Sequence, residues 1–263
     1  MLKRTLSLLL VLTLIVSVFT SCELILGNDP VKLVAAADEA NKTTDYTVNT
    51  TVIFTTDDED MKAAVASVGD VSTSFSKSGH SSRSNVSVVL GDLKIEKEYL
   101  ISSGVLYYTH TETGAGTVNT VKEKVNLNAE ERANVYADLA IDAPLSVDDF
   151  SNVKLESSKN VHLITCKTMK SESNADMINF VSSSLGLEGA TVWITDSQLV
   201  IRLVDGKYNG EYLSISYSVI LGGVTYDLCM QLSREYDVTT PVSINAPVDV
   251  QDYVLKTYTE LSK

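Results

Sequence analysis

The side chains able to do chemistry in this 263-residue chain are few and scattered. His80, His110 and His162 fall in separate segments without a helical i, i+4 pair, so a zinc site would have to be assembled in space from distant pieces. Asp148, Asp149 and Glu211 could supply a general acid and base, but their spacing pairs none of them, and ordinary surface charge accounts for them. The run Asp57-Asp58-Glu59-Asp60 lacks the alternating ligands and the glycine of a calcium loop; it suits the first turn of a helix, whose dipole favours negative charge. No G-x-S-x-G, H-E-x-x-H, C-x-x-C or G-x-x-x-x-G-K-S/T occurs, and Gly114-Ala115-Gly116 lacks the third glycine of a dinucleotide loop. The expectation is a protein that is not an enzyme and uses no metal or cofactor. Lys and Arg number 21 against 34 Asp and Glu, a net charge of −13 that repels phosphate backbones and argues against nucleic-acid binding.

One cysteine stands apart. Lys3 and Arg4 precede a run from Thr5 to Phe19 that is almost wholly apolar. Fifteen helical residues reach roughly 22 Å, short of the ~30 Å hydrocarbon core, so the run reads as a signal segment and not a permanent span. Phe19-Thr20-Ser21-Cys22 then resembles a bacterial lipobox, with Phe19 where Leu or Val is usual. The resemblance implies cleavage before Cys22 and acylation of its thiol, which would hold the protein on a membrane. Loss of Lys3 and Arg4 with the leader would take the net charge to −15. The chain thus divides into a signal peptide (1–21), a lipidated tether (22–29) and a single domain (30–263), and the expected location is extracytoplasmic, anchored to the cell membrane through Cys22.

The elements that follow are predicted from periodicity. Pro30 opens a helix to about Asn41, with Leu33, Val34, Ala37 and Ala40 on one face. Tyr46 to Phe54 alternates as a strand, and Met61 to Val68 is a short helix. Residues 71–126 read as strands joined at Gly91-Asp92, Ser103-Gly104 and Gly114–Gly116, with Leu90 opposite Leu93, Ile101 opposite Leu106 and Tyr99 opposite Tyr108. Asn128 and Glu131 make a capping box for a helix through Ala133, Tyr136, Ala137 and Ala140. A strand near Val161–Thr168 precedes a second capping box, Ser173 to Asp176, whose helix faces inward with Met177, Phe180, Val181 and Leu185 and stops at Gly186. Residues 190–233 read as a four-stranded meander. One hairpin turns at Asp196-Ser197, with Ile194 opposite Leu199 and Val192 opposite Ile201. The other turns at Gly222-Gly223, pairing Leu221 with Val224, Val219 with Tyr226, Tyr217 with Leu228, Ile215 with Met230 and Leu213 with Leu232. Cys229 falls on the polar face, so a bridge to Cys166 requires those two strands to be neighbours. Tyr99, Tyr107, Tyr108, Tyr212, Tyr217 and Tyr226 all lie in strands, where a ring can pack while its hydroxyl reaches water or a ligand; strand propensity alone also places tyrosines there.

Long antiparallel strands with a few helices make an α+β fold in which the helices cover an apolar sheet face, with a cleft expected between the layers. After the meander come Tyr236-Asp237 and Pro241-Val242-Ser243-Ile244-Asn245-Ala246-Pro247. Together with Cys22 and a helix before the first strand, this ending resembles the Lol-type lipoprotein-carrier superfamily, and within it the lipid-carrier lipoproteins of mycobacteria. The resemblance implies a large curved antiparallel sheet, an open half-barrel, wrapped around helices and a cavity for lipid or acyl chains. It carries over no catalytic residue and, by position, only Cys22. Binding of a hydrophobic or amphipathic ligand is the function it implies. The alternative is a cell-envelope lipoprotein with a packed interior that meets a protein or a glycan.

Overall fold

Twelve segments whose side chains alternate between two environments pair into one sheet. The computed structural model describes residues 29–139, 146–187 and 189–261; the leader, Cys22 and the tether up to residue 28 lie outside the described residues. The strands are β1 (Tyr46–Thr55), β2 (Asp70–Ser78), β3 (Ser81–Leu90), β4 (Leu93–Ser102), β5 (Val105–Gly114), β6 (Thr117–Asn126), β7 (Phe150–Ser158), β8 (Val161–Met169), β9 (Thr191–Val204), β10 (Lys207–Leu221), β11 (Val224–Asp237) and β12 (Val254–Lys256). Their spatial order is β12-β6-β5-β4-β3-β2-β1-β11-β10-β9-β8-β7, and the sheet is not closed into a barrel. Every pairing is antiparallel except that of β12 with β6. Four helices are described: α1 (Pro30–Thr43), α2 (Glu59–Val68), α3 (Ala129–Leu139) and α4 (Ser171–Ser184).

One face of the sheet is apolar and carries the helices. Phe54, Ile164, Leu199, Leu213, Ile215 and Met230 form a core there with Leu33 and Ala37 of α1, Met61 of α2, and Met177 and Val181 of α4. A second core joins Phe75, Ile101, Leu106, Tyr108 and Val125 to Val135 of α3 and Leu261 near the end of the chain. Local chemistry starts the helices as expected. Asp29 accepts from the Val31 amide ahead of Pro30, and Asn128 and Glu131 cap each other's backbone amides at 2.9 Å.

The hairpins at residues 91, 103 and 222 pair in the predicted registers, including all five apolar pairs of β10 with β11, and a turn falls at 115 as predicted. Gly222 and Gly223 both have positive φ, 60° and 84°, as the tight two-residue turn demands. The four-stranded meander is corrected to three strands, because 191–204 is one continuous strand. Thr195 is a bulge: Asp196 pairs with Ser216 while Ile194 pairs with Tyr217. A bulge and a two-residue turn both move the inward set from even to odd positions, so periodicity cannot separate them. The bulge also turns Ser197 inward, where its hydroxyl accepts from the Met169 amide at 2.9 Å.

Two smaller corrections follow, and the structure also places the two cysteines. α4 begins at Ser171, so Ser173 is inside it and donates instead to Asp149 at 2.6 Å, tying the helix to the turn before β7. Phe180 is 49% exposed and not part of the buried face. Cys166 and Cys229 are free thiols: two strands separate them, and Cys166 points to the helix face while Cys229 points away.

The opposite face is polar and open, except where the chain from Asp237 to Tyr253 crosses it. That strap leaves β11 and reaches β6, passing β1 to β5. The path is about 29 Å at ~4.8 Å per strand, within the roughly 40 Å that twelve extended residues can span. Val242 and Ile244 are half-buried between exposed Pro241, Ser243 and Asn245, as an extended segment requires. Lys122 pairs with Asp249, Lys124 donates to the Val250 carbonyl at 2.8 Å, and Tyr253 meets Thr109 at 2.9 Å and the edge of Tyr107.

Asp237 fixes the strap's start. Hydrogen bonds from the side chains and amides of Thr240 and Thr239 hold its carboxyl well below the usual carboxylate range. A depressed folded-state value means the contact contributes above the unfolded-state pKa, ~3.9, and is lost as pH falls through the folded value. Asp237→Ala is expected to speed amide exchange several-fold across residues 238–249 at neutral pH, read by hydrogen-exchange mass spectrometry, while β10 exchanges unchanged.

Candidate binding groove on the open face

Side chains of the open face build a groove of about 410 Å³ across β1 to β5. Strand register sets its floor as two parallel rows. Asn49, Ser74, Asn85, Glu98 and Thr109 form one; Thr51, Ser72, Ser87, Glu96 and Thr111 form the next. The hollow exists because β1, β2 and β3 contribute only Ser, Thr and Asn here, while longer glutamates rise from β4. Neighbouring rows lie two residues apart, roughly 7 Å.

Every one of these ten side chains is polar. The amides and hydroxyls both donate and accept, so the floor offers both halves of a hydrogen bond along its length. Its two carboxylates are already engaged at the rim, Glu98 with Arg83 Nε at 2.9 Å and Glu96 with Lys94 Nζ at 2.8 Å. A second polar hollow of about 520 Å³ lies by the β10–β11 hairpin and contains Asp57, Asp58 and Asp227. Two of its three acids are spent on structure: Asp58 accepts from the Asp227 amide at 2.7 Å and Asp227 from the Ser218 hydroxyl at 2.9 Å.

The residues singled out in the sequence are not brought together. His80 is exposed in the β2–β3 turn, His162 contacts the Ser157 hydroxyl at 2.9 Å, and His110 lies 3.2 Å from Glu112. Asp149 caps the turn before β7 and binds Ser173. Glu211 is buried beside Arg234 (3.3 Å) and accepts from the Tyr236 hydroxyl at 3.0 Å. Tyr236 stacks on Tyr208, whose hydroxyl donates to Asp38 of α1 at 2.8 Å. Burial pushes the Glu211 carboxyl up, against the pull of Arg234 and Tyr236. This network pins α1 to the sheet. Among the described residues no group of three or more His, Cys, Asp or Glu could hold a metal ion, and no helix is long and apolar enough to cross a membrane.

Of the six strand tyrosines, Tyr108 and Tyr217 are buried on the helix face, and Tyr212 lies exposed on the open face. None lines the groove. The groove itself went unseen in the sequence. Its signal was the polar half of each hairpin register, Ser72 opposite Ser87 and Asn85 opposite Glu98, which the apolar pairs overshadow.

No protein-family model matches the chain, and no curated protein sequence does. Among solved structures, a dehydratase domain from the CurJ module of curacin polyketide synthase aligns over 78% of this chain and 80% of its own, at 7% identity and a TM-score of 0.11. MucB in complex with MucA(peri) aligns over 80% and 94%, at 8% identity and the same TM-score. Likenesses this faint carry no argument about fold or function.

Proposed function

We propose that this chain is an envelope lipoprotein, anchored through Cys22, that binds a neutral glycan in the open-face groove. The observation that carries the reading is the groove's composition: ten polar side chains, both carboxylates neutralised at the rim. Such a floor exchanges hydrogen bonds with a polyol and offers little to an acyl chain, whose binding depends on apolar burial. The net charge of −13 disfavours polyanions. Titration of the full chain in mild detergent against neutral oligosaccharides, followed by calorimetry, tests this; heat that disappears in a groove-filled variant supports it. No binding across such a panel overturns it.

Lipid carriage is the second reading, and chain reach favours its architecture. β6 and β7 lie ten strand steps apart, about 48 Å along a flat sheet. Residues 127–149 must join them with eleven residues coiled in α3, a straight-line limit of about 55 Å. Val135 meanwhile holds α3 down on the second core. A sheet curled around its helices, as in the Lol-type carriers, meets this limit with slack to spare. Native mass spectrometry of the gently purified protein separates the readings, because a co-purified, solvent-extractable lipid of a few hundred daltons belongs only to the carrier.

A further inference from the structure

The two sheet edges differ. β12 caps one with three residues, whereas β7 leaves a nine-residue strand outermost on the other, paired only to β8. Among the described residues nothing covers its outer side, and Ser151 to Lys154 and Glu156 to Ser158 are exposed. Lys154 and Glu156 stand on the open face, and Val153 and Leu155 on the helix face. Free strand edges are templates for further pairing unless their charges forbid it.

We propose that two copies of this chain pair antiparallel through β7, with Leu155 on the two-fold axis. A two-fold perpendicular to the sheet keeps each residue on its own face, so odd positions meet odd and even meet even. The symmetric registers near the strand's middle are therefore centred on residue 153, 154, 155 or 156. Centring on Lys154 sets lysine against lysine, and centring on Glu156 sets glutamate against glutamate. Centring on Val153 leaves both charges opposite neutral or apolar residues, Asn152 and Phe150, with only the 2.6 Å Lys154–Glu156 pair inside each strand to satisfy them. Only the Leu155 centre places Lys154 of each copy opposite Glu156 of the other, twice over, and sets Leu155 against its own symmetry mate. Opposite charges across strands stabilise a pairing and like charges oppose it, so the sequence of β7 selects this register. The occupant is thus a second copy, and the product is one continuous sheet with both polar grooves on the same side.

Disulfide trapping tests the geometry on the full chain in mild detergent. At the two-fold, opposed Cα atoms lie about 4.5–5.5 Å apart, inside the disulfide range. Leu155→Cys is expected to give a reducible dimer under mild oxidation, in yield well above the wild type with its native thiols. Val153→Cys, whose copies lie more than ~13 Å apart, is expected to match the wild type. Equal yields from the two variants overturn the proposal. Sedimentation adds a reading on exposed residues, which keeps the test sound even if Leu155→Cys folds poorly. Lys154→Glu or Glu156→Lys alone should weaken the dimer about tenfold at low salt, and the double exchange should restore it. A wild type that stays monomeric, or single variants as dimeric as the wild type, overturns it.

Discussion

Arg234→Met is expected to lower folding stability by about 3–5 kcal/mol, because it leaves a buried carboxylate without its charge partner. Arg234 is 3% exposed and Glu211 7%, paired on the helix face near the end of the β10–β11 ladder away from the hairpin turn. The loss should spread along the network, since Tyr236 and Tyr208 link Glu211 to Asp38 of α1. Replacing both members, Glu211→Leu with Arg234→Met, is expected to recover most of the loss, as paired apolar replacements of buried ion pairs do. The effect should depend on pH. Glu211 has a raised folded-state pKa, so its contribution is full below the unfolded-state value of ~4.3 and declines as pH rises through the folded value. Losing Arg234 raises that value further, so the single variant should approach wild-type stability as pH is lowered toward 4. Urea unfolding at pH 7 and pH 4.5 reads both effects. A single variant that costs under about 1 kcal/mol at pH 7 would show that the pair is solvated.

Ser87→Trp is expected to abolish groove binding, lowering affinity at least about a hundredfold, while leaving the thermal midpoint nearly unchanged. Ser87 sits in the middle strand of the floor, between Ser72 and Glu96, and faces away from both apolar cores. An indole there fills the hollow without entering the core, so the cost falls on binding and not on packing. Calorimetry with the oligosaccharide that binds the wild type best, alongside a melting curve, checks both halves. Retained affinity in a folded variant would move the binding site elsewhere. Ser197→Ala supplies the structural counterpart: it removes the acceptor for the buried Met169 amide and should cost about 1–3 kcal/mol with no effect on binding, read by urea unfolding.

Much of the sheet was legible because one face is buried. With Leu213, Ile215, Tyr217 and Val219 required on the same side, a one-residue slip would expose all of them, so the hairpin at Gly222-Gly223 has a single acceptable register. The same logic gave Leu90 with Leu93 and Ile101 with Leu106. It failed at Thr195, where a bulge mimics the parity change of a turn. The missing discriminator was backbone sign: a tight turn needs left-handed residues, which Gly222-Gly223 supplies and Asp196-Ser197 does not adopt. Ser173 misled for a related reason, since its capping pattern is local but its hydroxyl is claimed by Asp149 from another element.

By itself the sequence determined most element types, the registers of the hairpins at 91, 103 and 222, the separation of an apolar from a polar face, and the scarcity of catalytic motifs. These follow from contacts between residues close in the chain, where periodicity and turn chemistry act directly. Only the tertiary structure decided that β11 joins β1, that the strap from Asp237 to Tyr253 crosses the open face, that Glu211 belongs to Arg234 and not to Asp149, and that ten modest polar residues from five strands share one hollow. Each of these depends on pairing between segments far apart in the chain. A serine or asparagine carries no mark of which distant strand will lie beside it, because its own energy is nearly the same on any solvated face.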